Sequence, residues 1–435
     1  MLYTLAALLA VAVVRHEPAV RTLVASDTLT LSAMLAELAA RSPQVRAARA
    51  GARAAAARIG PARRLPDPQL QFATMNRDLP GFELNDPLGM NQVQVMQMLP
   101  LGGKLDLAAR SARADSAAAV YRVADAWWNQ RTAAVTLFIE VWRADASIAV
   151  MEETITLLKH LASTTEAMYR VGEGRQADVL RAQVELARMQ EEILRMSTMR
   201  TSWAARLNAL LDRPADEPIP SLVLPDLAAD LPAPDSLLDH ASLERPLLVA
   251  GEYDVVAAQA AEKRASKELW PDLQLGAIYG QRSMDDGTER MLSLMVGASV
   301  PIWAGSRQKQ MKLEAIAMRE MAEADLSAMR AETRGMLAET LAEVGRARRL
   351  RSLYRSTILP QAEATVVSAL TSYRAGAVDF MTVLDNQMTV NRYRLDALAL
   401  VADEVKALAQ LEALTARAWV LPDVQPAPAE GDTDR

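Results

Sequence analysis

Cysteine is absent from the whole 435-residue chain, which removes disulfides, thiolate metal sites, a cysteine nucleophile and a lipidated N-terminal cysteine together. Histidine is nearly absent. His16, His160 and His240 lie far apart, with no second histidine three or four positions away, so no histidine-based metal site is expected. Aromatic residues make up only 4% of a chain that is 51% hydrophobic, and much of the apolar share is alanine. Such a composition favours close helix packing over a bulky globular core. Charge of one sign is also lacking: 48 basic against 54 acidic residues give −6, with no basic stripe to engage nucleic acid. No P-loop, Gly-x-Gly-x-x-Gly, Gly-x-Ser-x-Gly or His-Glu-x-x-His occurs, so neither an enzyme nor a bound cofactor is expected.

No segment reaches 18 uncharged apolar residues, so no transmembrane helix is expected. Residues 2–14 form an apolar run of signal-peptide length, though without a basic start or a clear cleavage site, and a buried N-terminal helix would carry the same pattern.

What is present is said twice. Met168-Tyr169-Arg170-Val171-Gly172-Glu173-Gly174, ahead of Asp178-Val179-Leu180, returns as Ser372-Tyr373-Arg374-Ala375-Gly376-Ala377-Val378, ahead of Thr382-Val383-Leu384. Tyr373 follows Tyr169 by 204 residues, and Pro43, Pro66 and Pro100 are matched at nearly the same offset by Pro246, Pro271 and Pro301. A repeat this long implies two copies of one architectural module. The chain is therefore expected to divide into a signal segment (1–25), a first repeat (26–211), a Pro-rich linker (212–234), a second repeat (235–417) and a flexible tail (418–435).

Each repeat opens with a helical pattern, over Leu29 to Ala57 and Leu237 to Ala265, and then changes period. Pro68 to Met75 and Asn91 to Leu99 alternate polar and apolar residues for much of their length. Asp272 to Gln281 and Met291 to Val300 are their counterparts. One hairpin per repeat is expected, joined by Asp/Gly/Asn/Pro-rich loops at Arg77 to Met90 and Arg282 to Arg290. Such strands are long enough to span a bilayer when tilted, with an exposed β-appendage on a soluble protein as the alternative. From Lys104 to about Thr165, and again from Arg307 to about Ala369, almost nothing breaks a helix except Gly335, Gly345 and Pro360. Further helices run from Asp178 to about Leu211 and from Thr382 to about Ala416, so each repeat holds a long helical hairpin.

Candidate chemistry is sparse. Gly102-Gly103-Lys104 lacks the upstream glycine of a Walker loop and reads as the turn from strand to helix. Carboxylates stand beside arginines at helical spacing, Glu185 with Arg188 and Glu191 with Arg195, and so read as solvated helix faces. Thioethers can bind copper(I), but Met189, Met196, Met199, Met318, Met321 and Met329 are scattered along helices and read as gap-fillers in packed seams. Asp178, Asp379 and Asp385 follow the two glycine turns, where an acidic side chain suits a helix N-terminus. If several copies surround an axis, the same aspartates form a ring of charge at the mouth of a tube.

These residues together resemble the TolC-like outer-membrane efflux protein family, from about Leu29 to Ala416. The resemblance rests on the duplication, on Leu65-Pro-Asp-Pro-Gln-Leu70 entering a strand and on Leu99-Pro-Leu-Gly-Gly-Lys104 leaving one. Its most specific elements are Tyr169-Arg-Val-Gly through Asp178-Val-Leu-Arg-Ala-Gln-Val-Glu-Leu-Ala and Tyr373-Arg-Ala-Gly through Val383-Leu-Asp385. The Gly-Gly-Lys exit is most similar to the cation/heavy-metal pump branch, with the multidrug pump branch as the alternative. The fold implied is mainly α with a membrane β-barrel, formed as a homotrimer. Each protomer gives four strands to a shared twelve-stranded barrel and long helical hairpins to a periplasmic α-barrel.

The function implied is a passive exit duct of a tripartite efflux system in the bacterial outer membrane, working with a periplasmic adaptor protein and an inner-membrane efflux transporter. The barrel alone would meet outer-membrane lipid, because the lipidated cysteine of many relatives is missing. A periplasmic gate is implied near the turns, with Tyr169, Gly172, Asp178, Tyr373, Gly376, Asp379 and Asp385 as candidates. Asp178 and Asp385 match acidic positions, and Tyr373 a linking tyrosine. Val378 stands where an arginine can occur and Thr382 where a further aspartate can, which puts an arginine-linked gate in doubt. The rival expectation is a soluble or peripheral coiled-coil scaffold with a β-appendage.

Overall fold

The computed structural model describes residues 28–75, 89–227, 230–284 and 287–425. The signal-like segment expected over 1–25, most of the loop expected over 77–90 and the end of the tail lie outside the described residues. The chain order is β1 (Thr28–Thr30), α1 (Leu31–Arg41), α2 (Pro43–Ala57), α3 (Ile59–Arg63), β2 (Gln69–Met75), β3 (Met90–Leu99), α4 (Lys104–Arg170) and α5 (Gln176–Leu210). It continues with β4 (Ser221–Val223), α6 (Pro234–Leu243), α7 (Pro246–Lys267), β5 (Asp272–Met284), β6 (Gly287–Ser299), α8 (Gln308–Leu353), α9 (Leu359–Arg374) and α10 (Phe380–Thr415).

The breaker-free run from Lys104 folds as one helix of 67 residues, on the order of 100 Å at 1.5 Å per residue. Its start is set by Gly102 and Gly103, both left-handed with φ of 73° and 77°, which reverse the chain between strand and helix. The second run is interrupted. Pro360 offers no N–H to the preceding turn, and a π-helical segment at Tyr354–Ile358 stands just ahead of it, with the Leu359 N–H donating to the Tyr354 carbonyl five residues back. The sequence marked the proline; the wider turn that accommodates it is a property of the folded backbone.

Both hairpins form, and they join. β3 pairs antiparallel with β5, so the sheet runs β2-β3-β5-β6 with β2 and β6 as open edges. The second hairpin is longer than its alternation suggested: β5 and β6 continue through most of the expected loop at 282–290 and pair to Met284 and Gly287. Register separates the two faces. On one, Phe72, Val93, Tyr279 and Leu292 form a row across four strands, and Leu70, Val95, Ala277 and Leu294 form the next. The opposite face carries Gln71, Gln94, Ile278 and Ser293 in the corresponding row. The apolar face is uncovered, with Phe72 75% and Leu294 80% exposed.

The main core lies at the middle of the helical body, where Trp127, Phe138 and Ile139 of α4 pack with α1, α5 and the late turns of α10. Two features there depart from the sequence reading. The Pro-rich linker contains β4, which pairs parallel with β1, so the crossover is held in the core rather than merely spanning it. The carboxylates are also not all solvated. Glu404 is fully buried between Arg348 and Arg351, each 2.9 Å away, and Glu412 is fully buried 2.7 Å from Arg131. Glu412 also accepts the backbone N–H groups of Trp419, Val420 and Leu421 at 2.8–2.9 Å. The start of the expected flexible tail is therefore anchored. Of the two surface pairs expected, Glu185–Arg188 is present, whereas Arg195 binds Glu192 in place of Glu191.

Candidate functional site: the two helix turns

Each long hairpin reverses at a Tyr-Arg-x-Gly motif, and backbone hydrogen bonds show why glycine stands there. In the turn from α4 to α5, the Gly172 N–H donates to the Tyr169 carbonyl at 3.1 Å and the Glu173 N–H to the Met168 carbonyl at 2.9 Å. In the turn from α9 to α10, Gly376 donates to Tyr373 at 3.0 Å and Ala377 to Ser372 at 2.9 Å. Gly172 and Gly376 carry φ of 83° and 71°, the left-handed conformation that closes a helix C-terminus and costs any other residue strain.

The turns are tied to each other. The Tyr373 hydroxyl donates to the Met168 sulfur at 3.3 Å, and its ring meets Phe380 edge-on at 6.0 Å between centroids. Burial first, and then the negative charge of Asp178, push the Tyr373 phenol above its ordinary value, which places Asp178 in the electrostatic reach of that ring. Beneath the turns a small cluster of Leu158, Leu161, Ala182, Phe380, Val383 and Leu384 closes the space between the hairpins.

The candidate aspartates divide by environment. Asp379 is the N-cap of α10: its Oδ1 accepts the Thr382 N–H at 2.9 Å and the Thr382 hydroxyl at 2.6 Å. Those two bonds, with Arg175 adding attraction, hold its carboxyl below the usual range. Thr382 thus completes a cap. Asp178 is half-buried in the first turn of α5, and Asp385 is exposed one and a half turns into α10. Tyr169 is 45% exposed, and the link between the turns is made by Tyr373. Gly174 carries a constraint that the motif alone did not show, because a Cβ there would stand 2.9 Å from the Tyr169 backbone nitrogen. No cluster of three or more metal-ligating His, Asp or Glu side chains occurs among the described residues.

A further polar group lies between α4, α9 and α10, some way up from the turns. Arg394 binds Glu153 at 3.1 Å and Glu363 at 2.8 Å, and the buried Thr154 hydroxyl donates to Asn391 at 3.0 Å. Sequence reasoning missed it because its members come from three helices, with Glu153 and Thr154 of α4 more than two hundred residues from the others.

The outer membrane efflux protein family matches this chain over residues 34–213 and again over 237–417. The cobalt-zinc-cadmium resistance protein CzcC of Cupriavidus metallidurans is 22% identical over 401 residues, covering 90% of this chain and 91% of its own. VceC, an outer membrane protein of Vibrio cholerae, shares the fold with a TM-score of 0.75 at 17% identity, over 89% of this chain and 96% of that one. The open-state MtrE outer membrane channel of Neisseria gonorrhoeae has a TM-score of 0.75 at 15% identity, over 89% of each chain. With long paired helices, a four-stranded sheet and a double match to one family, this chain belongs to the outer membrane efflux proteins, the TolC-like efflux channels.

Proposed function

We propose that this protein is the outer-membrane exit duct of a tripartite efflux system. It exports small molecules or ions passively from a periplasmic adaptor and inner-membrane transporter. The observation that carries the reading is the sheet: one continuous uncovered apolar face, and two edges left open at β2 and β6. Open edges are intolerable in hydrocarbon, where every backbone group must find a partner. Three protomers joining β6 to β2 would close twelve strands into a barrel, apolar outward, with the helices continuing as a periplasmic tunnel. No described helix is long and apolar enough to cross a membrane, so the spanning role falls to the strands.

The two turns form the periplasmic gate in this reading. Asp178 and Asp385 supply charge around the aperture, while Asp379 secures the start of α10 and Tyr373 ties the two hairpins together. Opening requires the helix ends to part, against the small cluster packed beneath the turns. In planar bilayers, Asp178→Ala and Asp385→Ala raise single-channel conductance or change its sensitivity to cations; unchanged behaviour in both removes the gate assignment. A detergent-requiring, SDS-resistant trimer is expected on fractionation, and a carbonate-extractable monomer would instead favour the peripheral scaffold.

A further inference from the structure

All seven methionines of the described strands lie on one face of the sheet, opposite the apolar one. β3 contributes Met90, Met96 and Met98, β6 contributes Met291 and Met295, and Met75 and Met284 come from β2 and β5. The register aligns them: Met96, Gly276 and Met295 share one row, and Met75 and Met90 another. The apolar face has none, using leucine, valine, alanine, phenylalanine and tyrosine instead. Gap-filling does not explain that sidedness, because gap-filling methionines sit in closed cores. Four of these side chains are open, Met75, Met98, Met284 and Met295 at 49%, 37%, 48% and 41% exposure, and Met90, Met96 and Met291 are half-buried on the same uncovered face.

Glycine shapes this face around the thioethers. A Cβ on Gly276 would lie 3.5 Å from Met96 Cγ and 3.6 Å from Met295 Cε, so the two side chains lean from opposite strands over the same notch. A Cβ on Gly280 would lie 3.2 Å from Met90 Sδ, and that sulfur accepts a hydrogen bond from Gln92 Nε2 at 2.8 Å. In a chain with no cysteine and three histidines, thioethers are the main soft donors available. Thioethers select soft copper(I)-like ions, whereas zinc favours thiolate, imidazole and carboxylate donors.

We propose that this methionine face binds soft monovalent d10 metal ions in transit, with Met96 and Met295 over Gly276 as its principal pair. The inference rests on the reading that this face lines the lumen. Three protomers would then repeat the pair three times around the channel, giving a ring of three weak two-sulfur stations at one depth.

The test uses the full chain in detergent, titrated calorimetrically with silver(I) nitrate in chloride-free buffer. Saturable binding is expected, weakened about tenfold or more by Met96→Leu with Met295→Leu, as loss of direct ligands should exceed the tenfold scale of outer-shell changes. Gly276→Ala fills the notch without removing sulfur and should weaken binding as well. Met311→Leu with Met318→Leu, on exposed positions of α8, should leave it unchanged. Absence of saturable silver binding, full affinity in both the double variant and Gly276→Ala, or a loss confined to the α8 variant overturns the proposal. Because the chain has no cysteine, Gln94→Cys and Val95→Cys in liposomes test the lumen separately. A water-soluble maleimide that labels position 94 and spares 95 upholds the lumen whatever silver does, and the reverse pattern removes both readings.

Discussion

In the first turn the chain folds back so closely at Gly174 that a β-carbon would strike the Tyr169 backbone; in the second, Val378 occupies the corresponding place. The first turn adds a Gly174 N–H bond to the Met168 carbonyl at 3.1 Å, while Arg175, at the N-cap of α5, makes no side-chain cap bond. The second turn is secured from the other side, by the Asp379–Thr382 cap and by Phe380, which is 1% exposed beneath it. Identical motifs are thus fastened differently, one by backbone closeness and the other by side chains. Six such turns around the proposed trimer would alternate a turn fastened by backbone contact with one fastened by a carboxylate cap.

The contrast can be broken most strongly at Phe380. Phe380→Ala should cost about 3–5 kcal/mol of local stability as a large-to-small core change. Hydrogen exchange should show the loss in the first turns of α10, with little change in the middle of the body; uniform loss would show that the tip is not a separate unit. Gly174→Ala should cost about 1–3 kcal/mol through overpacking against fixed backbone, and Val378→Gly about 0.5–1 kcal/mol through chain entropy. Equal exchange rates in the two variants would erase the difference between the turns.

A smaller effect separates them by pH. Asp379 has a folded value below its unfolded one, so its contribution is present above the unfolded value and is lost as pH falls through the folded one. The second turn should therefore loosen in acid in the parent, and Asp379→Ala should remove that transition while leaving the first turn unaffected. Amide exchange followed across that range reads both. The smallest expected change is spectroscopic: Asp178→Asn should bring the Tyr373 titration down toward its ordinary value, and an unmoved ultraviolet titration would place Asp178 outside its field.

Much of the architecture was legible because it is local. Alternation marked the strands within a few residues, and the absence of breakers from Lys104 to about Thr165 marked a long helical stretch, which the fold makes one helix. The glycine turns were legible for the same reason, since φ of 83° at Gly172 and 71° at Gly376 is a demand made by a few adjacent residues. The β1–β4 pair was not legible, with three residues per strand and nearly two hundred between them. Glu404 and Glu412 looked like any other helix charges. A helix surrounded by partners has no single wet face, so periodicity cannot say which carboxylate is enclosed.

The sequence by itself determined the elements, the two turns and the lack of any soft ligand except methionine, because propensity and composition act on neighbours. Only the tertiary structure decided which hairpins share a sheet, which carboxylate caps a helix and which side of the sheet the methionines occupy. Strand parity fixes a face only within one strand, and the β3–β5 pairing is what makes four separate alternations into two common surfaces.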